Sequence, residues 1–255
     1  MKITIRTDNC DPSQWYIIEK SANSEIEIKL EIDRIVSVQS RNDRKSEICA
    51  AIQEELSKFK WIVTGSVNIE FLWYLNGVER QETDKVGDID NITKPLLDAL
   101  TGARGILVDD SQIGSLHTFW QSRNELIASN VLYVRIFINN DCCLWKENLY
   151  FVQYAGPVCM PINIDFNDHR TILAALVILK ARRMNRKAAA RFKRLGYNAD
   201  RFLVNSDWDI HRSRLGGFGK NQILSVESLK HKCYENGFTW GLLRSMWRSN
   251  RLQGK

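Results

Sequence analysis

The chain has 255 residues, 44% of them apolar and 26% charged, with a formal net charge of +6. That composition is globular rather than disordered, and the length suits two domains better than one. The longest apolar run, Ile172 to Leu179, is far too short to span a bilayer, and the opening MKITIRTDNC lacks the apolar core of a signal peptide, so a cytoplasmic protein with no membrane partner is expected.

Six cysteines (Cys10, Cys49, Cys142, Cys143, Cys159 and Cys233) are scattered without a CxxC pair. They read as reduced thiols rather than a disulfide framework or a zinc site. The net charge conceals a division. Residues 1–140 hold 16 Lys and Arg against 21 Asp and Glu, net −5, whereas residues 141–255 hold 20 against 9, net +11. The first part repels a polyanion and the second attracts one.

In chain order, residues 2–6 and 14–20 are expected to form an N-terminal hairpin. Ile26, Ile28, Leu30 and Ile32 alternate with Glu25, Glu27, Lys29 and Glu31, the pattern of a half-buried strand. A polar stretch with Arg41, Arg44 and Lys45 follows. Residues 42–58 then place Ile48, Ala51, Ile52 and Leu56 on one side of a helix. Residues 66–75 read as a strand ending at Asn76-Gly77.

Residues 87–112, GDIDNITKPLLDALTGARGILVDDSQ, hold five aspartates: Asp88, Asp90, Asp98, Asp109 and Asp110. Asp88 and Asp90 share one side if that segment is extended. A helix is expected to open at Asn91, Ile92 or Thr93, with Pro95 near its start and Gly102 as its terminator. Lys94 and Asp98 then lie one turn apart on one face, with Asp90 a turn earlier. Taken singly, these acids are ordinary capping and turn residues. Clustered like charges repel, so together they call for a cation, and an all-oxygen donor set suits Mg²⁺ or Mn²⁺. Strands over 112–119 and 132–138 complete a β-α-β-α-β-β order, which points to an α+β fold with a mixed or antiparallel sheet.

DIDNITKPLLDALTG…VDDSQI resembles the signature of the RusA-type Holliday-junction resolvases, DxDNxxKxxxDAL followed by DDxQ. The match is specific over residues 87–112, consistent in element order over about 25–138, and does not reach the last 115 or so residues. The loop before Asp109 is one residue longer than in the best-known member. The resemblance implies that Asp88, Asp90 and Asp110 are catalytic, metal-holding aspartates, with Asp109 an outer ligand and Lys94 the essential lysine. Asp98 then orients Lys94. It further implies a homodimeric, Mg²⁺-dependent (or Mn²⁺-dependent) endonuclease of DNA recombination and repair, cutting branched DNA to leave 5′-phosphate and 3′-hydroxyl ends. In such proteins basic loops like that of Arg41, Arg44 and Lys45 lie close to DNA; from the residues alone a solvated helix start reads as well.

Domains are expected at 1–140, a RusA-like nuclease with a mixed sheet and two helices, and at 141–255, basic and mainly helical. Residues 139–165, with Gly156, Pro157 and Pro161, read as the boundary. A helix from the cap Asp168 to about Leu195 is apolar all round in its first half. Its second half carries Arg182, Arg183, Arg186, Lys187, Arg191, Lys193 and Arg194 without one acid. Phosphate contact and an acidic partner are both open readings of that cluster. Residues 225–249 have helix-turn-helix spacing, with Arg244 and Arg248 on one face of the second helix, a pattern that serves either DNA recognition or simple packing. The rival to a nuclease is a non-catalytic DNA-binding protein that uses the basic C-terminal domain, its RusA-like half serving dimerisation.

Overall fold

The computed structural model describes residues 1–15, 24–33, 35–37, 40–77, 88–124, 129–138, 142–199, 209–239, 241–242 and 245. It divides into two compact units, Met1–Cys143 and Leu144–Lys255. The class is α+β, with mixed sheets.

In the first unit, β1 (Lys2–Asp8) pairs antiparallel with β2 (Ser24–Ile32), from Lys2 opposite Glu31 to Asp8 opposite Glu25. Of the expected hairpin of 2–6 with 14–20, residues 16–20 lie outside the described residues. The helix α1 (Asn42–Leu56) is followed by β3 (Trp61–Val63) and β4 (Val67–Leu75). Then come α2 (Ile89–Leu100), β5 (Ile113–Ser122) and β6 (Asn130–Ile138). The sheet order is β1-β2-β6-β4-β5, antiparallel except for the parallel pair β4–β5.

Strict alternation makes this sheet one-sided. Ile26, Ile28, Leu30 and Ile32 of β2 and Val67, Ile69, Phe71, Trp73 and Leu75 of β4 are buried. They share one core with Ile48, Ile52 and Leu56 of α1 and Ile92, Leu96 and Leu100 of α2. On the other face Arg135 Nε sits 3.0 Å from Glu27 and 3.8 Å from Glu25. A period of two on the strands and of three to four on the helices thus produces a two-layer sandwich.

α2 departs from expectation at its start. Its N-cap is Asp88, and Asp90 already lies in the first turn, so the two carboxylates do not share one side of an extended segment. Starting at Ile89 puts Ile89, Ile92 and Leu96 on one helical stripe, which a start at Asn91 would shorten. Pro95 therefore falls inside the helix rather than at its start. The missing N–H and ring clash of an interior proline cost about 3 kcal/mol. Burial of Leu96, Leu97, Ala99 and Leu100 around it, and the Cys49 thiol that donates to the Pro95 carbonyl at 3.4 Å, offset that cost.

The second unit contains more sheet than the sequence suggests. The division between the units, after Cys143, falls within residues 139–165, which also hold β7 (Cys143–Trp145), β8 (Leu149–Ala155) and β9 (Val158–Asn163). The long helix α3 (His169–Arg194) has the expected Asp168 cap, whose side chain accepts from the Arg170 N–H at 2.9 Å. Two short strands, β10 (Ile210–His211) and β11 (Ile223–Ser225), complete a sheet ordered β10-β9-β8-β11, and α4 (Val226–Glu235) is capped by Ser225.

α3 is buried on one face only. Ile172, Ala175 and Leu179 point inward with Val152, Met160 and Ile162 of the sheet, while Val177 and Ile178 are exposed. The apolar run at 172–179 is thus partly wet, because a helix lying on a single sheet has one face to bury. Of the expected second helix after the Asn236-Gly237 turn, only Gly241, Leu242 and Ser245 are described; Arg244 and Arg248 lie outside the described residues. All six cysteines are free. Among the described residues no helix is long and apolar enough to cross a membrane.

The core of the first unit is drawn from residues between Cys10 and Cys143, that of the second from residues between Val152 and Cys233. A chain ending at Cys143 is therefore expected to fold by itself and to unfold in one cooperative transition by circular dichroism. A fragment lacking a transition would contradict the independence of the first core.

Candidate active site

The site is built on one stripe of α2 and one turn that is brought beside it. Asp90, Lys94 and Asp98 are four residues apart in succession and so lie along one helical face. The Asp88 main-chain carbonyl accepts the first helical hydrogen bond, from Ile92 N–H at 3.1 Å. The Asp88 side chain forms no capping bond. Both Asp88 and Asp90 are exposed at the N-terminal end of the helix.

The loop from Thr101 to Val108 returns the chain to this stripe. Gly102, at φ +87°, ends α2 in the left-handed region. Gly105 packs so tightly that a Cβ would stand 2.2 Å from the Leu100 carbonyl oxygen. The Ile106 and Leu107 N–H groups both donate to that carbonyl, and Val63 N–H donates to the Ile106 carbonyl at 2.9 Å, which ties the loop to β3.

Next comes a 3₁₀ turn, Asp110–Gln112, capped by Asp109, whose Oδ2 accepts from Ser111 N–H at 3.0 Å. Gln112 is 6% exposed. Its Oε1 accepts from Val108 N–H at 2.7 Å and Asp109 N–H at 3.0 Å, while Nε2 donates to the Val63 and Gly65 carbonyls, each at 2.9 Å. Asp109 is thus a capping residue of the turn.

The turn places Asp110 against α2. Lys94 Nζ lies 3.1 Å from Asp110 Oδ2 and 3.0 Å from Asp98 Oδ1. Its bonds to Asp98 and then Asp110 hold the ammonium above the ordinary lysine range, against the lowering effect of partial burial. The three side chains remain 49%, 59% and 39% exposed for Lys94, Asp98 and Asp110. Exposed pairs add little stability, so what the bridge fixes is position.

Beside this stripe a groove of about 480 Å³ opens, lined by Asp90, Asn91, Lys94 and Leu97 of α2 and by Leu116 and Thr118 of β5. All the acids supply oxygen donors, the kind a hard divalent cation takes. Among the described residues, no three His, Cys, Asp or Glu side chains are gathered as ligands of one ion. At this stripe the cation that bridges two carboxylates is Lys94.

The family model described as endodeoxyribonuclease RusA matches residues 27–136. The first unit carries a RusA domain. No curated protein matches the chain. The 27–136 span of the RusA domain runs from β2 to β6 and encloses the whole Lys94 site.

The other basic candidates are dispersed. Arg41 is the N-cap residue of α1, 3.9 Å from Asp43, and Arg44 and Lys45 are in the first turn. In the second unit, Arg186 is turned inward: Nη2 lies 3.0 Å from Asp209 Oδ2, and Nε donates to Tyr154 Oη at 2.9 Å. Arg183 Nε reaches the Tyr154 carbonyl at 3.4 Å, and Arg182 is half-buried. Lys187, Arg191, Lys193 and Arg194 are exposed. The residue that sequence reasoning passes over is Gln112. Its signal is present: Asp109-x-x-Gln112 has the spacing of a capping box.

Gln112→Leu removes partners from the buried Val108 N–H, the part-buried Asp109 N–H and two carbonyls. It is expected to destabilise the first unit by about 2–4 kcal/mol, read from urea unfolding. Lys94 gives a second test. Its folded-state value is raised, so its contribution to stability is complete below the unfolded lysine value of about 10.4 and is lost as pH rises through the folded value. The difference in stability between wild type and Lys94→Met should therefore stay flat from neutral pH to about pH 9 and shrink only above pH ~10. A change near pH 7 would contradict the geometry.

Proposed function

We propose that the protein is a divalent-metal-dependent endodeoxyribonuclease that cuts phosphodiester bonds in branched DNA, in the manner of a Holliday-junction resolvase. The observation that carries this reading is the bridge from Lys94 to Asp98 and Asp110, on the helix face of Asp90, within a RusA domain. Asp88, Asp90 and Asp110 would hold Mg²⁺ or Mn²⁺, which supplies Lewis acidity for attack of water on the scissile phosphorus.

Lys94 is the residue placed to meet the phosphate. Its ammonium is the local positive charge among four acids, and a negative charge that grows on the phosphoryl oxygens is stabilised by a cation already in position. Asp98 is a positioning residue, holding Nζ from the side away from the helix N-terminus. Asp109 and Gln112 set the Asp110 backbone. Cleavage leaves 5′-phosphate and 3′-hydroxyl ends, and paired cuts across a junction call for a homodimer.

The exposed cations Lys187, Arg191 and Arg194 would supply grip on the duplex arms, whereas Arg186 belongs to the Asp209 pair. The test is incision of a synthetic four-way junction with Mg²⁺ or Mn²⁺ against EDTA. Asp90→Asn should abolish incision and leave binding intact or tighter, because one carboxylate fewer weakens metal binding and repulsion of DNA together. A mutant that cuts at near wild-type rate would remove Asp90 from the site. Absence of incision by wild type under every metal, with binding retained, would favour the non-catalytic DNA-binding reading.

Grip is measured separately. Binding in Ca²⁺ across a salt series should fall by ~0.9 log units per log unit of salt for each phosphate contact. Replacing Lys187, Arg191 and Arg194 with Ala should shallow that slope by up to about three contacts, with metal dependence unchanged. An unaltered slope would make that face of α3 a protein interface.

A further inference from the structure

The groove between α2 and β5 has a wall that phosphate and metal chemistry does not need. The α2 side carries Asp90, Asn91 and Lys94 and, one turn on, Leu97; the β5 side is made by Leu116 and Thr118. Leu116 is 44% exposed, although it lies on a strand directly beside the charged stripe. β5 is an edge strand of the sheet, so Leu116 stands at the lip of the groove. A phosphate or a hydrated cation gains nothing from a leucine there. A flat ring does, because every nucleobase has an apolar face that packs on apolar side chains, and leucine is among the side chains that wedge between base steps.

We propose that this groove is a subsite for one unstacked nucleobase of the strand being cut, its ring face on Leu116 and its edge toward Asn91. The inference rests on the nuclease reading above and adds the part of the substrate that the site recognises. Size agrees: about 480 Å³ falls in the range of small-ligand pockets, roughly 300–1,000 Å³, and exceeds what an ion needs. Continuity agrees as well, since Asp90 and Lys94 belong both to the groove and to the charged stripe. A base lodged in the groove thus places its own phosphate within reach of Lys94.

The subsite would also prefer branched DNA without reading a sequence. Extruding a base costs least where it is already unpaired or strained, as at the exchange point of a junction, and most within a continuous duplex. The Asn91 amide, with both donor and acceptor, can engage the edge of any base.

The experiment uses the full chain and four-way junctions that carry 2-aminopurine at each nucleotide flanking the exchange point. Binding is followed in Ca²⁺ and incision in Mg²⁺ or Mn²⁺. With wild type, fluorescence at one flanking position should rise severalfold on binding, as the base leaves the stack. Leu116→Ala should suppress that rise and weaken junction binding roughly fivefold, leaving linear-duplex binding unchanged. Leu116→Met, which keeps an apolar side chain, should restore both. Because Leu116 is 44% exposed and belongs to neither buried core, both variants should keep a cooperative unfolding transition. If wild type binds and cuts the junction while every 2-aminopurine stays quenched, the subsite is overturned and the nuclease reading stands. A Leu116→Ala protein that matches wild type in fluorescence and junction binding overturns the subsite in the same way. If wild type neither binds nor cuts any junction, the nuclease reading falls and the subsite with it.

Discussion

The side chain of Gln112 bonds in four directions from a buried position, and the place of Asp110 follows from it. Two backbone donors of the Val108-Asp109 turn converge on its oxygen, and two carbonyls of the β3–β4 turn accept from its nitrogen. A buried amide with every valence answered is rigid, since releasing any one bond strands a polar group away from water. The turn that carries Asp110 is thereby fixed to the central part of the sheet. Gly105 acts to the same end from the other side, letting the loop pass close enough to the end of α2 that Leu100 can receive two N–H groups. With α2 anchored on the core by Ile92, Leu96 and Leu100, the Lys94–Asp110 distance is a property of the sandwich as a whole.

Much of this is readable in the sequence because it is local. Lys94 and Asp98 meet through helical spacing alone, and the alternation of β2 and β4 needs no tertiary information. The expected start of α2 falls in the wrong place for a reason of the same kind. Pro95 normally marks a first turn, and that rule pulls the expected start two or more residues too late. Packing of Ile92, Leu96 and Leu100 into the core outweighs it. Residues 139–165 do contain the division between the units, after Cys143, but Gly156, Pro157 and Pro161, which look like its punctuation, belong to the β8–β9 pair. Gly156 does turn the β8–β9 hairpin, at φ +56°. Pro161 sits within β9, paired with Phe151, but β10 reaches only Val158 and Cys159 on the outer side. In the described pairing the missing N–H of Pro161 therefore faces no partner strand, which is where a strand tolerates proline.

The basic run on α3 shows what composition cannot resolve. Seven cations in thirteen residues look like one surface, but a helix distributes them around its axis. Arg186 finds Asp209, a carboxylate 23 residues further on whose side chain is only 7% exposed, and the same Asp209 oxygen accepts from Tyr154 Oη at 2.5 Å. A buried acid in that position requires its cation, since leaving a carboxylate unpaired there is costly. The exposed part of the run, Arg183, Lys187, Arg191, Lys193 and Arg194, is what a polyanion can reach, and of these Arg183 Nε already reaches the Tyr154 carbonyl.

Charge also explains why the two ends of the Lys94 bridge are not equivalent. Asp98 is on the same helix, four residues on, and stays beside Lys94 wherever α2 goes. Asp110 arrives from a different segment, sixteen residues later, and meets Lys94 only because the sandwich brings them together. If Asp110 turns toward an incoming cation, Lys94 keeps Asp98 and so keeps its direction, instead of swinging freely as an unpaired lysine does. An arrangement with a permanent partner and an exchangeable one keeps the ammonium in place while a carboxylate changes hands. That asymmetry follows from the spacing of Lys94 and Asp98, and it gives the helix, not the loop, control over where the ammonium sits.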